Sequence, residues 1–333
     1  MISTTRSRAL LSALVLALAP GTPWAGVHKC LDQNNKVFYQ DKPCQEKTSA
    51  GLSPALSRLN PGENRPQLLW QLGSGKKSLY LLGGLGFGTA DMYPLPEKLM
   101  DAFAGANVLV IVDDLDTAGE AAAQPALIAK GEYKDGTGLE DHVKPGTWRK
   151  ALELAKSLDI AEDTLNAQRP WLAALNLRGA ALKRMGYDEQ LATAKSFVKA
   201  AETLKPIVEF DPQAEQAKRF DGMADAEQEV FLLEALHEAD ARNEYFKALD
   251  EAWRKGDPES VEFTVRRALV AVPASQKSSE QWLKSRNEAL ARSLDEMAAD
   301  GRTYFVVVDA RRVVGEAGLL AALEAKGFRA TRE

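Results

Sequence analysis

Side chains equipped for chemistry are sparse in this 333-residue chain. Its three histidines are scattered: His142 falls in a polar loop and His237 on a long helix, neither with a second ligand at helical spacing. His28 stands two residues before Cys30, which hints at a metal pair but fits a lone exposed histidine better. The two cysteines, Cys30 and Cys44, bracket one short segment. The acids that could move protons are Asp91, Asp113, Asp114, Glu209 and Asp309, and the notable cations are Arg286 and Arg312. No regular spacing gathers these residues, so the fold has to.

One stretch organises the chain: LYLLGGLGFGTADMYPLP, residues 79–96. The apolar run Leu79-Tyr80-Leu81-Leu82 bounded by Gly83 predicts a short buried strand. Glycines 83, 84, 86 and 88 predict a tight turn that lets backbone approach something closely. Tyr93-Pro94-Leu95-Pro96 then leads into a helical pattern at Leu99, Met100 and Phe103. The glycine loop offers no His, Cys, Ser or Lys, and its ionisable side chain is Asp91. Gly84-x-Gly86-x-Gly88 lacks the G-x-G-x-x-G spacing of a dinucleotide site.

Composition is ordinary for a globular protein, 45% hydrophobic and 27% charged with net charge −5. That suits one sizeable domain and a smaller module. Mild acidity argues against a nucleic-acid partner, which leaves a basic stripe on its binder. Arg6, Arg8, the apolar residues 9–19 and PGTPWA before Gly26 read as a secretory signal over 1–25. About eleven apolar residues are too few for a membrane span, which needs ~20. The expectation is a soluble protein exported to a bacterial periplasm.

Residues 27–44 predict a hairpin, with strands over 27–31 and 36–40 and a turn at Gln33-Asn34-Asn35. Two cysteines closing one short loop of an exported chain are expected to form a disulfide. On the chain-entropy model that closure stabilises by about 3 kcal/mol. Residues 48–66, rich in Ser, Pro, Gly and Asn, predict a linker, and a second domain covers 67–333. It opens with a strand at Leu68-Leu69-Trp70, and residues 107–114 form an apolar strand ending in acid. Residues 118–302 are mostly helical, with 224–255 as one long helix or a bent pair and a short strand over 205–210. A closing strand over 303–308 completes an α/β pattern.

Several motifs carry a resemblance. KC-x-D and K-x-x-Y-x-D-x-P-C within 26–47 are similar to a short domain of unknown function found after signal peptides (DUF4124). Tyr80-Leu81-Leu82-Gly83 followed by Tyr93-Pro94-Leu95-Pro96 resembles the TraB/GumN family, relatives of the Tiki metalloproteases, which read YLLGTxHxG and then YPLP. Arg169-Pro170-Trp171, Gly186-Tyr187-Asp188, Val208-Glu209 with Gln216, Gly256-Asp257 and Arg286-Asn287 look like further landmarks. The resemblance implies a small mixed sheet flanked by many helices, akin to the erythromycin-esterase and ChaN-like folds.

The same resemblance governs the functional expectation. Where the family has its first histidine this chain has Gly86, and Val112 stands at the glutamate of the family's vvEvD strand. In the closing GxxHLxG-x-GL pattern Gly315 and Gly318-Leu319 match, but Asp309 replaces the first glycine and Arg312 the histidine. Glycine and valine offer no lone pair, and arginine stays protonated and only donates. The resemblance therefore implies no metal, no cofactor and a non-catalytic envelope scaffold binding a peptide or protein in the old cleft. The binding positions it implies are Gly83, Gly86, Asp91, Asp114, Glu209, Arg286, Asn287 and Arg312, with Arg312 beside an acidic partner such as Glu209. The alternative is a hydrolase or peptidase of the TraB/GumN–Tiki type with an acidic or metal site rebuilt on Asp91, Asp113, Asp114, Glu209 or Asp309. Asp113-Asp114-Leu115-Asp116-Thr117 also resembles the DxDx[TV] of haloacid dehalogenase phosphatases, but its threonine comes one position early.

Overall fold

A computed structural model describes residues 28–31, 37–40, 66–112, 125–201, 204–210, 218–273 and 276–333. The chain divides into units of residues 1–58 and 59–333. In the first, β1 (His28–Leu31) pairs antiparallel with β2 (Val37–Gln40), His28 facing Gln40. The cysteine side chains, the leader over 1–25 and the linker up to residue 65 lie outside the described residues.

Six strands form the sheet of the larger unit: β3 (Leu69–Ser74), β4 (Lys77–Gly84), β5 (Val108–Val112), β6 (Ile207–Phe210), β7 (Thr303–Asp309) and β8 (Arg329–Arg332). Their order is β6-β5-β7-β4-β3-β8. The block β6-β5-β7-β4 is parallel, and β3 and β8 add antiparallel pairings at the other side. Sequence explains the difference. All five residues of β5, VLVIV, are buried, as a parallel strand covered on both faces requires. In β3, Gln71 faces solvent between buried Trp70 and Leu72, as in a half-exposed antiparallel strand. Each fully buried Val, Ile or Leu contributes about 1.5–3 kcal/mol against the entropy of ordering it.

The helices that position the site are α1 (Glu97–Gly105), α2 (Pro145–Ser157), α3 (Pro170–Arg184), α4 (Thr193–Ala201), α5 (Asp225–Ala239), α6 (Tyr245–Lys255), α7 (Pro258–Ala271), α8 (Gln276–Met297), α9 (Ala310–Val313) and α10 (Leu319–Glu324). Residues 224–255 are a bent pair. Asp240 ends α5 and accepts the Arg242 N–H, and Glu244, with φ 51°, turns the chain into α6. Among the described residues no helix is long and apolar enough to cross a membrane.

The glycine run is explained by packing. A β-carbon on Gly83 would lie 3.2 Å from Ala310 Cα, and one on Gly84 3.0 Å from Thr193 Cβ. On Gly88 it would lie 2.4 Å from the Leu191 carbonyl oxygen, because Gly88 exchanges both backbone hydrogen bonds with Asp188. The close approach predicted by these glycines is thus to α9, α4 and the turn before α4. The indole N–H of Trp253 donates to the Gly83 carbonyl at 2.8 Å and fastens α6 to the end of β4.

Candidate functional site

Because β4, β5, β6 and β7 run parallel, their carboxyl ends share one edge of the sheet. Gly86 follows β4, Val112 ends β5, and Arg312 lies in α9 directly after β7. Open α/β sheets bind ligands outside this edge. A groove of about 470 Å³ meets this edge through Arg311 and Arg312 of α9 and is otherwise walled by helices, chiefly α3, α5, α7 and α8. Arg286 and Arg312 line it, so the structure brings those two predicted residues together.

The polar residues of the groove are deep. Arg178 is 3% exposed, Arg312 5%, Glu238 9% and Tyr245 2%. Arg178 Nη2 lies 2.9 Å from Glu238 Oε2, and its guanidinium sits 5.4 Å from the centre of the Phe231 ring. Arg312 donates from Nε and Nη2 to Asn287 Oδ1 at 3.2 and 3.1 Å. Asn287 Nδ2 in turn donates to the carbonyls of Arg312 and Ala317 at 3.1 and 2.8 Å. One fully buried amide thereby fixes both the backbone and the guanidinium of Arg312.

Next to it, Arg311 grips Asp309 with Nε and Nη2, both at 2.8 Å, while Asp309 caps α9 by accepting the Arg311 N–H. Burial pushes the Tyr245 phenol well above its ordinary range, and the negative charge of Glu238 adds to this. The phenol is therefore a hydrogen-bonding group and not a base. Much of the remaining lining is apolar. Phe231, Val265, Leu269 and Leu283 are half-buried, and Trp282 is 52% exposed with the Arg286 guanidinium 4.6 Å from its ring centre. Five arginines and three glutamates line the groove. Of the glutamates, Glu238 faces Arg178, Glu234 accepts from Ser279 Oγ at 2.6 Å, and Glu227 accepts the Ala224 N–H at 3.1 Å.

The other predicted residues lie elsewhere. Gly83 is buried beneath Ala310, and Gly86 is half-buried outside the groove lining. Asp91 belongs to a surface network: Arg254 reaches Asp91 Oδ2 at 3.0 Å, Thr89 Oγ1 at 2.7 Å and Asp250 Oδ1 at 2.8 Å. The Thr89 hydroxyl, then Arg254, hold the Asp91 carboxyl below the usual range. Burial, with Asp250 beside it, pushes the Tyr187 phenol up to about 12. Glu209 is exposed on β6 at the sheet edge and does not line the groove. Asp113 and Asp114 are outside the described residues. Among the described residues, no three His, Cys, Asp or Glu side chains gather where they could hold a metal.

Arg178, Glu238, Tyr245, Arg311 and Trp282 were not picked out by sequence reasoning. A signal existed for Arg178, since residues 171–182, WLAALNLRGAAL, are apolar on nearly every side and their one charged residue is then buried and partnered.

Comparison with known proteins places these features in a family. The model of the TraB/PrgY/gumN family matches residues 68–332. The chain is 22% identical over 247 residues to the uncharacterized protein YbaP of Escherichia coli K12, covering 74% of this chain and 87% of that protein. Its counterpart in Shigella flexneri matches to the same extent. No solved structure matches. The match across the whole six-stranded domain establishes that this chain belongs to the TraB/PrgY/gumN family.

Proposed function

We propose that this protein is an exported, periplasmic member of its family that no longer uses a metal and instead binds a peptide or protein segment in the groove at the carboxyl edge of the sheet. One observation carries the reading: Arg312, in the position that resembles the family's second histidine, is buried in the groove and clamped by Asn287. A guanidinium there donates hydrogen bonds and repels cations, so the residues present do not fit a catalytic metal. Gly86 and Val112 add no ligand at the other two positions. Five arginines against three glutamates leave the groove lining positive, which favours acidic peptides over basic ones.

Fluorescence anisotropy with fluorescein-labelled octapeptides of differing charge tests this. Acidic peptides are expected to bind the purified protein, with affinity lowered at least tenfold by Arg286→Gln or Arg312→Gln, and to remain intact when Zn²⁺ or Mn²⁺ is added. Peptide cleavage, or no binding by any peptide, would overturn the reading.

A further inference from the structure

A second cleft shares no lining residue with the arginine groove. It is walled by α2, the end of α3, α5 and the end of α7, and its volume of about 930 Å³ lies in the range of small-ligand sites, about 300–1,000 Å³. Its apolar lining includes Leu154, Leu158, Met185, Leu233, Leu236 and Val272, and the half-buried His237 joins them. The lining charges balance. Arg242 donates from Nε and Nη2 to Asp240 Oδ2 at 3.0 and 2.6 Å, and Arg184 Nη1 lies 2.8 Å from Asp159 Oδ2. Lys150 and Glu153, both exposed, are one of each sign. We infer that this cleft binds a small, mainly apolar, uncharged molecule whose carbonyl-type oxygen accepts the Nε2–H of His237. The inference does not depend on peptide binding in the other groove.

Asn243, which also lines the cleft, decides which ring nitrogen carries the hydrogen. Its Nδ2 donates to the main-chain carbonyl of His237 at 2.7 Å, a contact only the amide nitrogen can make. The same Nδ2 lies 3.1 Å from His237 Nδ1. An amide NH2 offers no lone pair, so Nδ1 must accept, and the hydrogen of the neutral ring sits on Nε2. Among the described residues nothing accepts that Nε2–H. Asn243 is itself anchored, its carbonyl accepting from Arg267 Nη2 at 3.0 Å, so the ring is oriented before a ligand arrives. Burial holds the imidazole pKa below its ordinary range; Arg267 and Lys150 act in the same direction, while Glu238 and Asp240 oppose them. A neutral ring with one open N–H, set among apolar walls of balanced charge, selects an oxygen acceptor over an ion. A carboxylate or an ammonium entering the cleft would lose water without meeting a net opposite charge.

Two measurements test the inference: ¹⁵N spectra of the histidine-labelled protein, and saturation-transfer NMR with methyl hexyl ketone, octanoate and octylammonium. The His237 signals, identified by elimination in His28→Gln and His142→Gln, are expected to show a bare Nδ1 and a protonated Nε2. Adding the ketone should shift the Nε2 signal. The ketone is expected to bind at least tenfold more tightly than either ion. His237→Phe, which keeps a flat ring without the N–H, should weaken it at least fivefold. His237→Gln, whose amide can donate from a similar reach, should recover part of that loss. An Nδ1–H tautomer would overturn the inference, and that reading is taken on unmutated His237, whether or not its variants fold. Equal binding of ketone and ions, an unchanged affinity in His237→Phe, or no binding of the ketone would each overturn it as well. Loss of the ketone on Trp282→Ser, with none on His237→Phe, would assign it to the arginine groove and have the same effect.

Discussion

Replacing Asn287 with leucine removes a clamp with a side chain of the same branched shape and somewhat greater bulk. Its Nδ2 donates to two carbonyls, those of Arg312 and Ala317, each bond worth about 1 kcal/mol net. Its Oδ1 accepts from a buried guanidinium at 3.2 and 3.1 Å, a charge-assisted contact worth about 1.5–3 kcal/mol. The sum is about 3.5–5 kcal/mol, in line with the ~3–5 kcal/mol cost of stripping a buried charge of its partner. Asn287 is 0% exposed, so water cannot substitute. At roughly 2–4 °C per kcal/mol the melting temperature should fall by about 7–20 °C. Urea denaturation of Asn287→Leu, Arg312→Leu and the double variant closes a thermodynamic cycle. Its coupling term isolates the bonds the two residues share, whatever else Arg312 touches. The expected coupling is about 1.5–3 kcal/mol. A value below about 0.5 kcal/mol, the ordinary error of additivity, would show that the amide does not hold the guanidinium.

Three further outcomes are expected. Glu229 caps α2 from across the helical layer, accepting the Lys144 N–H at 2.9 Å and the Thr147 hydroxyl at 2.6 Å; Glu229→Ala should cost about 2–3 kcal/mol and Glu229→Gln, which keeps an acceptor, about 1 kcal/mol. Equal losses in urea titrations would show that charge alone does the capping. Asp91 has its folded pKa depressed by Thr89 and then Arg254, so its contribution is present above the ordinary carboxylate range and fades as pH falls through the lowered value. With its side chain 73% exposed, Asp91→Asn should cost under ~1 kcal/mol at neutral pH and nothing in strong acid, and a pH-independent cost would contradict the assignment. Protein recovered from the envelope should carry a Cys30–Cys44 disulfide, seen as resistance of both thiols to alkylation before reduction; ready labelling of both would sink the export proposal's redox argument.

The strands were legible where burial dictates composition. VLVIV and TYFVVV can only be covered strands, and the glycines between β4 and α1 announced close backbone contact. What they touch was not legible, since it depends on α4 and α9 arriving from 100 and 220 residues away, roughly counted along the sequence. β8 reads RATR, with no apolar alternation; it forms because β3 needs its edge paired, Trp70 opposite Arg332, and because the Arg332 stem can lie near the Trp70 ring. Of the groove's lining residues, Arg286 and Arg312 were visible in the sequence, as was Asn287, which holds Arg312. Arg178 and Glu238 escaped because their pairing joins two helices through tertiary packing, and periodicity within one helix says nothing of its neighbour.

Stability alone gives little reason for the charges buried in the groove. A buried Arg–Glu contact such as Arg178 with Glu238 carries a desolvation cost that its attraction scarcely offsets, and well-packed apolar replacements in such places are often 1–4 kcal/mol more stable, roughly. The surrounding helices show that apolar packing was available: α3 buries Trp171, Leu172, Leu175 and Leu177 beside Arg178. Charged side chains kept deep in an otherwise oily helix layer are expensive, so folding stability is not what keeps Arg178 and Glu238 in place of an apolar pair.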